Sequence, residues 1–255
     1  ADYTGMKNYK SLQFVHYHGK FDKLSVSVLQ LYNGMAYDTD TSANLAEEIS
    51  WSLTLGTRLT YATDKVKANL AYYYQGGKNA ANRDLASMYF GGDVAFSLVK
   101  NFSFGLGFEY LSGTATKDKG WGTDNSFTPL YGTNHKFNGW MDYFYVGNHG
   151  GNVGLTDIYL PLIYKYKKWT FKAIPHYFMS AATVSDAAGK DYSNGLGAEV
   201  DLVAVYSMTK AVNLQAGYSQ MFATETMQVV KGGNYENTNN WAWIMITFKP
   251  TFFKK

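Results

Sequence analysis

Polar and apolar residues alternate at every second position over long stretches of this chain. In SWSLTLGTRLTYA, Trp51, Leu53, Leu55, Thr57, Leu59 and Tyr61 fall on one side, and Ser52, Thr54, Gly56, Arg58 and Thr60 on the other. Such alternation belongs to β-strands, whose successive side chains point to opposite faces. VKANLAYYYQ sets Val66, Leu70 and Tyr72 against Lys67, Asn69 and Gln75, and NFSFGLGFEY sets Phe102, Phe104 and Leu106 against Ser103, Gly105 and Glu109. GLGAEVDLVAVY sets Leu196, Val200 and Leu202 against Glu199 and Asp201. About eleven such segments are expected, near 9–18, 23–33, 50–62, 66–76, 85–98, 101–112, 153–166, 168–181, 194–207, 211–223 and 240–249. Most are longer than the roughly five to six residues common in soluble sheets. They suit the roughly 9–11 residues a tilted strand needs to cross a bilayer.

The connections alternate between short and long. GKFD, TDK, VKN, the pair Lys167–Lys168 and MTKA are short, whereas 34–49, 77–84, 113–152, 182–193 and 224–239 are long. Outer-membrane barrels have short periplasmic turns and longer extracellular loops. The expected fold class is therefore all-β, a transmembrane antiparallel β-barrel in one domain, and a soluble all-β protein with aromatic cores is the alternative. Aromatics near strand ends, such as Tyr32, Trp51, Tyr61, Tyr110 and Trp169, fit girdles at two membrane interfaces. If the last strand ends in the periplasm, counting back eleven strands starts the first one outside. Single-chain barrels have even strand numbers and both ends inside. The expectation is that these strands form the C-terminal part of a larger barrel.

Composition adds to this picture. The chain has 255 residues with 22 Tyr, 16 Phe, 6 Trp, 25 Gly and only 4 Pro. That mixture favours strands over helices. No cysteine is present, which excludes disulfides and thiolate metal centres. The net charge of +3 is too mild for a nucleic-acid footprint. The expected partners are outer-membrane lipid, a polar solute or saccharide, and other outer-membrane proteins in a larger assembly. No apolar run approaches the roughly 18 residues of a membrane helix.

Four stretches carry a family resemblance. SFTPLYGTNHKFNGWMDYFYVG at 126–147 resembles a signature of the alginate-export-type outer-membrane porins of Bacteroidetes. VGLTDIYL at 153–160 is similar to the strand that follows it in that family, and LQAGYSQMFATETM and NNWAWIMITFKP resemble its last two strands. The resemblance implies a barrel of about eighteen strands, of which this chain would supply the C-terminal two-thirds. It also implies localisation in the bacterial outer membrane.

The polar strand faces should line a lumen. Arg58, Lys67 and Lys172 stand against Asp93, Glu109, Glu199 and Asp201 as its charges. Rings of basic side chains select anions, and no basic ladder stands out here. These charges either meet a passing solute or pair across strands and stiffen the wall. His16 and His18 share a strand face but have no third ligand nearby in sequence, so no metal or other cofactor is expected. The acidic stretch with Asp38, Asp40, Glu47 and Glu48 lacks calcium-loop spacing. Within 113–152, the segment 131–151 is glycine-broken and aromatic, holding His135, Lys136, Trp140, Asp142, Tyr143 and Tyr145. Its histidines lack a nucleophile and orienting group, so no enzyme is expected. It should fold back on the pore mouth or into the lumen, with a short helical turn at Trp140–Tyr145 and with Lys136 and Asp142 facing the pore. The expected function is a porin or export channel for polar solutes or oligosaccharides. The alternative is a structural or partner-binding barrel component of a larger outer-membrane complex.

Overall fold

A computed structural model describes residues 9–38, 47–131, 138–144 and 152–251. Twelve antiparallel strands form one sheet: β1 Tyr9–Phe21, β2 Leu24–Asp38, β3 Glu47–Ala62, β4 Val66–Lys78, β5 Asp84–Val99, β6 Phe102–Leu111, β7 Leu155–Tyr159, β8 Leu162–Tyr166, β9 Trp169–Met179, β10 Gly195–Ser207, β11 Val212–Ala223 and β12 Asn239–Phe248. Each pairs with its sequence neighbour, except that β7 and β8 both lie between β6 and β9. They are two halves of one crossing, so the sheet has the eleven positions expected from the alternation. The seventh is interrupted at Leu160-Pro161, where proline has no N–H to give the ladder. The Pro161 carbonyl still accepts from Gly105 N at 2.9 Å, which holds the break against β6. Several strands outrun their expected ends, and β3 and β5 reach 16 residues.

The two faces of the sheet are inverted relative to a soluble protein. On β3, Ser52 and Thr54 are buried, while Leu55 between them and Tyr61 is 46% exposed. On β4, Gln75 is buried and Leu70, Tyr72 and Tyr74 are exposed. The same holds on β10, where Glu199 is fully buried and Leu202 is exposed. Water-facing soluble sheets place the apolar set inside. Here the polar set lines the protected face.

The long connection between β6 and β7 packs on that polar face. Tyr131 stacks edge-on with Tyr9 of β1 and donates from its hydroxyl to Asn33 Oδ1 of β2 at 2.8 Å. Trp140 stacks in parallel on Trp243 of β12 at a ring separation of 5.6 Å. Nine residue steps span at most about 30 Å, whereas ten strand intervals of about 4.8 Å would set β1 and β12 about 48 Å apart in a flat sheet. The sheet therefore curls around the loop. Among the described residues no ladder joins β1 to β12. Where the loop meets the wall, Leu111, Phe127, Phe144, Leu155, Phe178, Leu196, Met221 and Met227 form an apolar cluster. Met227 belongs to α1, Glu225–Lys231, which starts where the Thr224 hydroxyl accepts from Met227 N and ends at Gly232.

Candidate functional site

The site is a chamber on the polar face, lined on one side by Phe127, Pro129, Leu130 and Asn138 of the β6–β7 connection. Register sets its residues. Arg58 on β3 is opposite Ala71 on β4, which is opposite Gly91 on β5, which is opposite Glu109 on β6, which is opposite Asp157 on β7. A second row runs Thr60, Asn69, Asp93, Gly107, Tyr159, His176, Glu199 and Met221. Period 2 then puts every member of both rows on one face. Arg58, Asn69, Tyr73, Asp93, Glu109 and Tyr159 share the lining of a cavity of about 440 Å³ with Phe127, Pro129 and Asn138 of the loop.

All seven charges singled out from the sequence stand on this face by register, in three groups. Arg58, Asp93 and Glu109 line the cavity. Asp93 receives the Asn69 amide on both oxygens at 3.1 Å, and that amide's own oxygen accepts from Thr60. Glu109 accepts from the Tyr89 hydroxyl at 3.2 Å and from Asn138 Nδ2 at 3.0 Å. Glu199 and Asp201 lie further round the wall on β10 and belong to a buried cluster. Lys67 and Lys172 sit nearer the short-turn end, opposite Ala95 and Val203. Among the described residues, no carboxylate lies within ion-pairing distance of Arg58, Lys67 or Lys172.

The buried cluster holds the loop. Glu199 Oε1 accepts from the backbone N–H groups of Trp140 at 2.6 Å and Met141 at 3.0 Å. Asn138 Nδ2 also reaches Asp157 Oδ2 at 3.2 Å. Tyr143 is hydrogen-bonded to Asn239 of β12. Behind these contacts, His176 Nδ1 is 3.0 Å from Asp157, and its Nε2 is 3.8 Å from Asp201 Oδ2. A carboxylate only accepts, so the Nδ1 proton points to Asp157. Ser219 donates to Asp201 Oδ1. Glu199 Oε2 and Asp201 Oδ2 have no hydrogen-bond partner. Sequence reasoning passed over Asp157 and His176. The signal available was a charged residue inside the apolar run LTDIYL and a histidine in phase with Lys172.

The loop itself differs from expectation in one respect. No helical turn forms at 140–144, where the chain makes bends and a turn. Asn138, Gly139 and Asp142 have φ of 61°, 84° and 58°, and such left-handed positions interrupt a right-handed helix. Trp140, Asp142 and Tyr143 lie in the docked segment, whereas His135, Lys136 and Tyr145 lie outside the described residues, as does Asp40. A second anchor comes from 124–128, whose docking contacts sequence reasoning did not anticipate. Gln75 Nε2 donates to the Thr128 carbonyl at 2.7 Å, and the Ser112 hydroxyl donates to the Asn125 carbonyl at 2.6 Å. Asp124 accepts from Asn79 at 2.8 Å, from Thr114 at 3.0 Å and from Ser126 N at 2.9 Å, with Arg83 at 3.6 Å. Burial alone would push the Asp124 carboxyl up, but the hydrogen bonds from Ser126, Asn79 and Thr114 outweigh it and hold the carboxyl below the usual range.

His16 and His18 lie on β1, and His18 Nδ1 meets the Ser27 hydroxyl at 2.9 Å. Among the described residues no group of three or more histidines and carboxylates is arranged to hold a metal. No helix there is long and apolar enough to cross a membrane, which leaves crossing by strands open.

No family model matches this chain, and no curated protein does. Among solved structures it is similar to a NanC porin in a rhombohedral crystal form, with 10% identity and a TM-score of 0.45 over 94% of this chain and 99% of that one. It is also similar to the outer-membrane transporter YddB from Escherichia coli, with 13% identity and a TM-score of 0.42 over 92% of this chain and 35% of that one. A third similar structure is the CymD monoaromatic hydrocarbon channel, with 10% identity and a TM-score of 0.40 over 96% and 77% of the two chains. At that similarity none of the three assigns this chain a family or a cargo.

Proposed function

We propose that this chain forms the wall of a water-filled outer-membrane channel that passes small polar solutes or oligosaccharides. The observation that carries the reading is the inversion of the sheet. A row of Leu55, Leu70, Tyr72, Phe90 and Leu106 faces outward and exposed, while Thr54, Gln75, Asn69 and Asp93 face inward. Exposing that apolar area to water would cost roughly 25 cal/mol per Å², and a bilayer removes the cost. Between the outward rings Trp51 and Tyr61, ten residues apart on β3, a strand rises about 33 Å. Tilted by about 40°, that becomes about 25 Å, the height of an outer-membrane apolar band. Tyr32 stacked on Trp51, and Trp169 against Tyr206, supply interface aromatics at opposite ends, each pair at 4.8 Å.

The β6–β7 loop narrows the conduit, and the chamber beneath it is where a solute meets the wall. Membership of the alginate-export-type porins rests on the resemblance of residues alone. Alginate itself is poorly served, since Arg58 shares its chamber with Asp93 and Glu109 rather than with further basic side chains. A scaffold barrel is favoured by one feature, the apolar cluster of Phe127 and Phe144 with wall residues, which seals part of the face. Purified protein in planar bilayers separates the two. Steady single-channel current supports the channel; folded, inserted protein that never conducts refutes it.

A further inference from the structure

We infer that the chamber under the loop is a binding subsite for a small zwitterion of amino-acid to dipeptide size, with Arg58 taking the carboxylate and Asp93 the ammonium. This rests on the channel reading and names the solute class. The first observation is the spacing of unlike charges. Asp93 is two strands from Arg58 and two residues along, with Ala71 and Gly91 between them in register. Two strand intervals and one two-residue step place the two backbones about 12 Å apart. Neither intervening residue has a side chain beyond Cβ, and the ring of Tyr89 lies over Gly91, so an aromatic surface forms the floor between the two charges. Across that span the two charged groups form no ion pair with each other, so a solute that carries both charges can lie between them.

The second observation is how each charge is held. In a structural ion pair the two would touch and neutralise each other. Here neutral donors fix the carboxylates instead: Asn69 on Asp93, and Tyr89 with Asn138 on Glu109. Among the described residues Arg58 has no carboxylate within 4 Å, the ion-pair limit. The guanidinium is therefore kept available in a fork geometry suited to a carboxylate. Third, the volume of about 440 Å³ lies in the range of small-molecule sites. Tyr73, Tyr159 and Phe127 supply apolar walls beside the polar poles. A neutral sugar would leave both charges unmatched. An anion would meet Asp93 and Glu109 as like charges, and a cation would leave Arg58 unmatched.

The experiment uses the whole chain in planar bilayers and in detergent, with alanyl-alanine as the zwitterion, and its N-acetyl derivative, its amide and a neutral disaccharide as controls. The dipeptide should interrupt the ion current at concentrations at least tenfold lower than any control. Arg58→Gln and Asp93→Asn should each weaken that block threefold to tenfold while leaving the disaccharide effect unchanged. Equal block by all four solutes, or a block unaffected by both substitutions, overturns the inference and leaves the channel standing. Folded protein without current overturns the channel reading. In that case calorimetric titration of alanyl-alanine into the detergent-solubilised protein decides the subsite, and absence of heat overturns it.

Discussion

Replacing Glu199 tests whether the loop is held in the chamber by an acceptor or by a charge. Its Oε1 takes two backbone N–H groups, from Trp140 and Met141, and its Oε2 faces no donor. Glu199→Ala removes both bonds and leaves two amides without a partner. A buried donor left without a partner costs about 1–3 kcal/mol, and water reaches part of Trp140, so about 2–4 kcal/mol of docking should be lost. At roughly 1.4 kcal/mol per tenfold, that moves the docked population by about 30-fold to 700-fold. Glu199→Gln behaves differently. Its carbonyl oxygen keeps both amides at reduced strength, and its new N–H₂ can donate to Asp201 Oδ2, which lacks a partner. The two changes nearly offset, so the loop should stay docked. The assay is acrylamide quenching of Trp140, read against a Trp140→Phe background because the chain has six tryptophans. Quenching should rise in Glu199→Ala, where the stack on Trp243 opens, and stay near wild type in Glu199→Gln. Wild-type quenching in the alanine variant refutes the anchoring role of Glu199. Equal damage in both variants refutes the acceptor argument and makes the charge decisive.

Leu70→Arg on the outward face should cost about 2–4 kcal/mol of folding stability in lipid, the depth-dependent penalty near a bilayer midplane. Urea titration of the refolded protein in vesicles reads it, and an unchanged midpoint would mean that this face does not meet lipid. Acid should release the 124–128 anchor. The folded-state carboxyl of Asp124 lies below its unfolded value of about 3.9, so its contribution is present above that pH and is lost as pH falls through the depressed value. Protease nicking near Asn125 should therefore rise below about pH 4. Asp124→Asn should nick readily at neutral pH, and a variant that stays resistant would remove Asp124 from the anchor.

The strands were legible because a sheet with one polar and one apolar face writes that difference into the sequence at period 2. Asn69 and Leu70 are neighbours in the chain and face opposite sides of the sheet. Arg58, Asp93 and Glu109 could be placed on a common face for the same reason. What they meet there could not, because partners are set by register between strands. The interruption at Pro161 is a single residue in a run that otherwise alternates, and it decides which part of β9 lies beside Asp157. The Glu199 contacts join residues 58 and 59 positions apart, through a loop whose φ angles at Asn138 and Asp142 no alternation rule anticipates. α1 left a faint trace in Thr224, Glu225 and Gly232, a cap, a first-turn acid and a terminating glycine. Its seven residues are too few to establish a helical period.

The abundance of tyrosine and glycine follows from the same inversion. A closed wall lined by large side chains has no room for a passage, and one lined by small ones has little to contact a solute. Here inward rings are laid flat against neighbouring strands by glycines. A methyl group at Gly56 would overlap the ring of Tyr73 and the backbone of Tyr72, and one at Gly107 would overlap the ring of Tyr159. Each glycine costs strand propensity of about 0.5–1 kcal/mol. In return the facing ring lies along the wall, covers backbone that water would otherwise reach, and leaves the centre of the chamber to Arg58 and the carboxylates. Glycine is therefore expected opposite inward aromatics on adjacent strands, and β11 and β12 follow the rule with Gly217 beneath Trp243. That ring in turn is the platform on which Trp140 docks, so a glycine-backed ring of the wall also positions the loop.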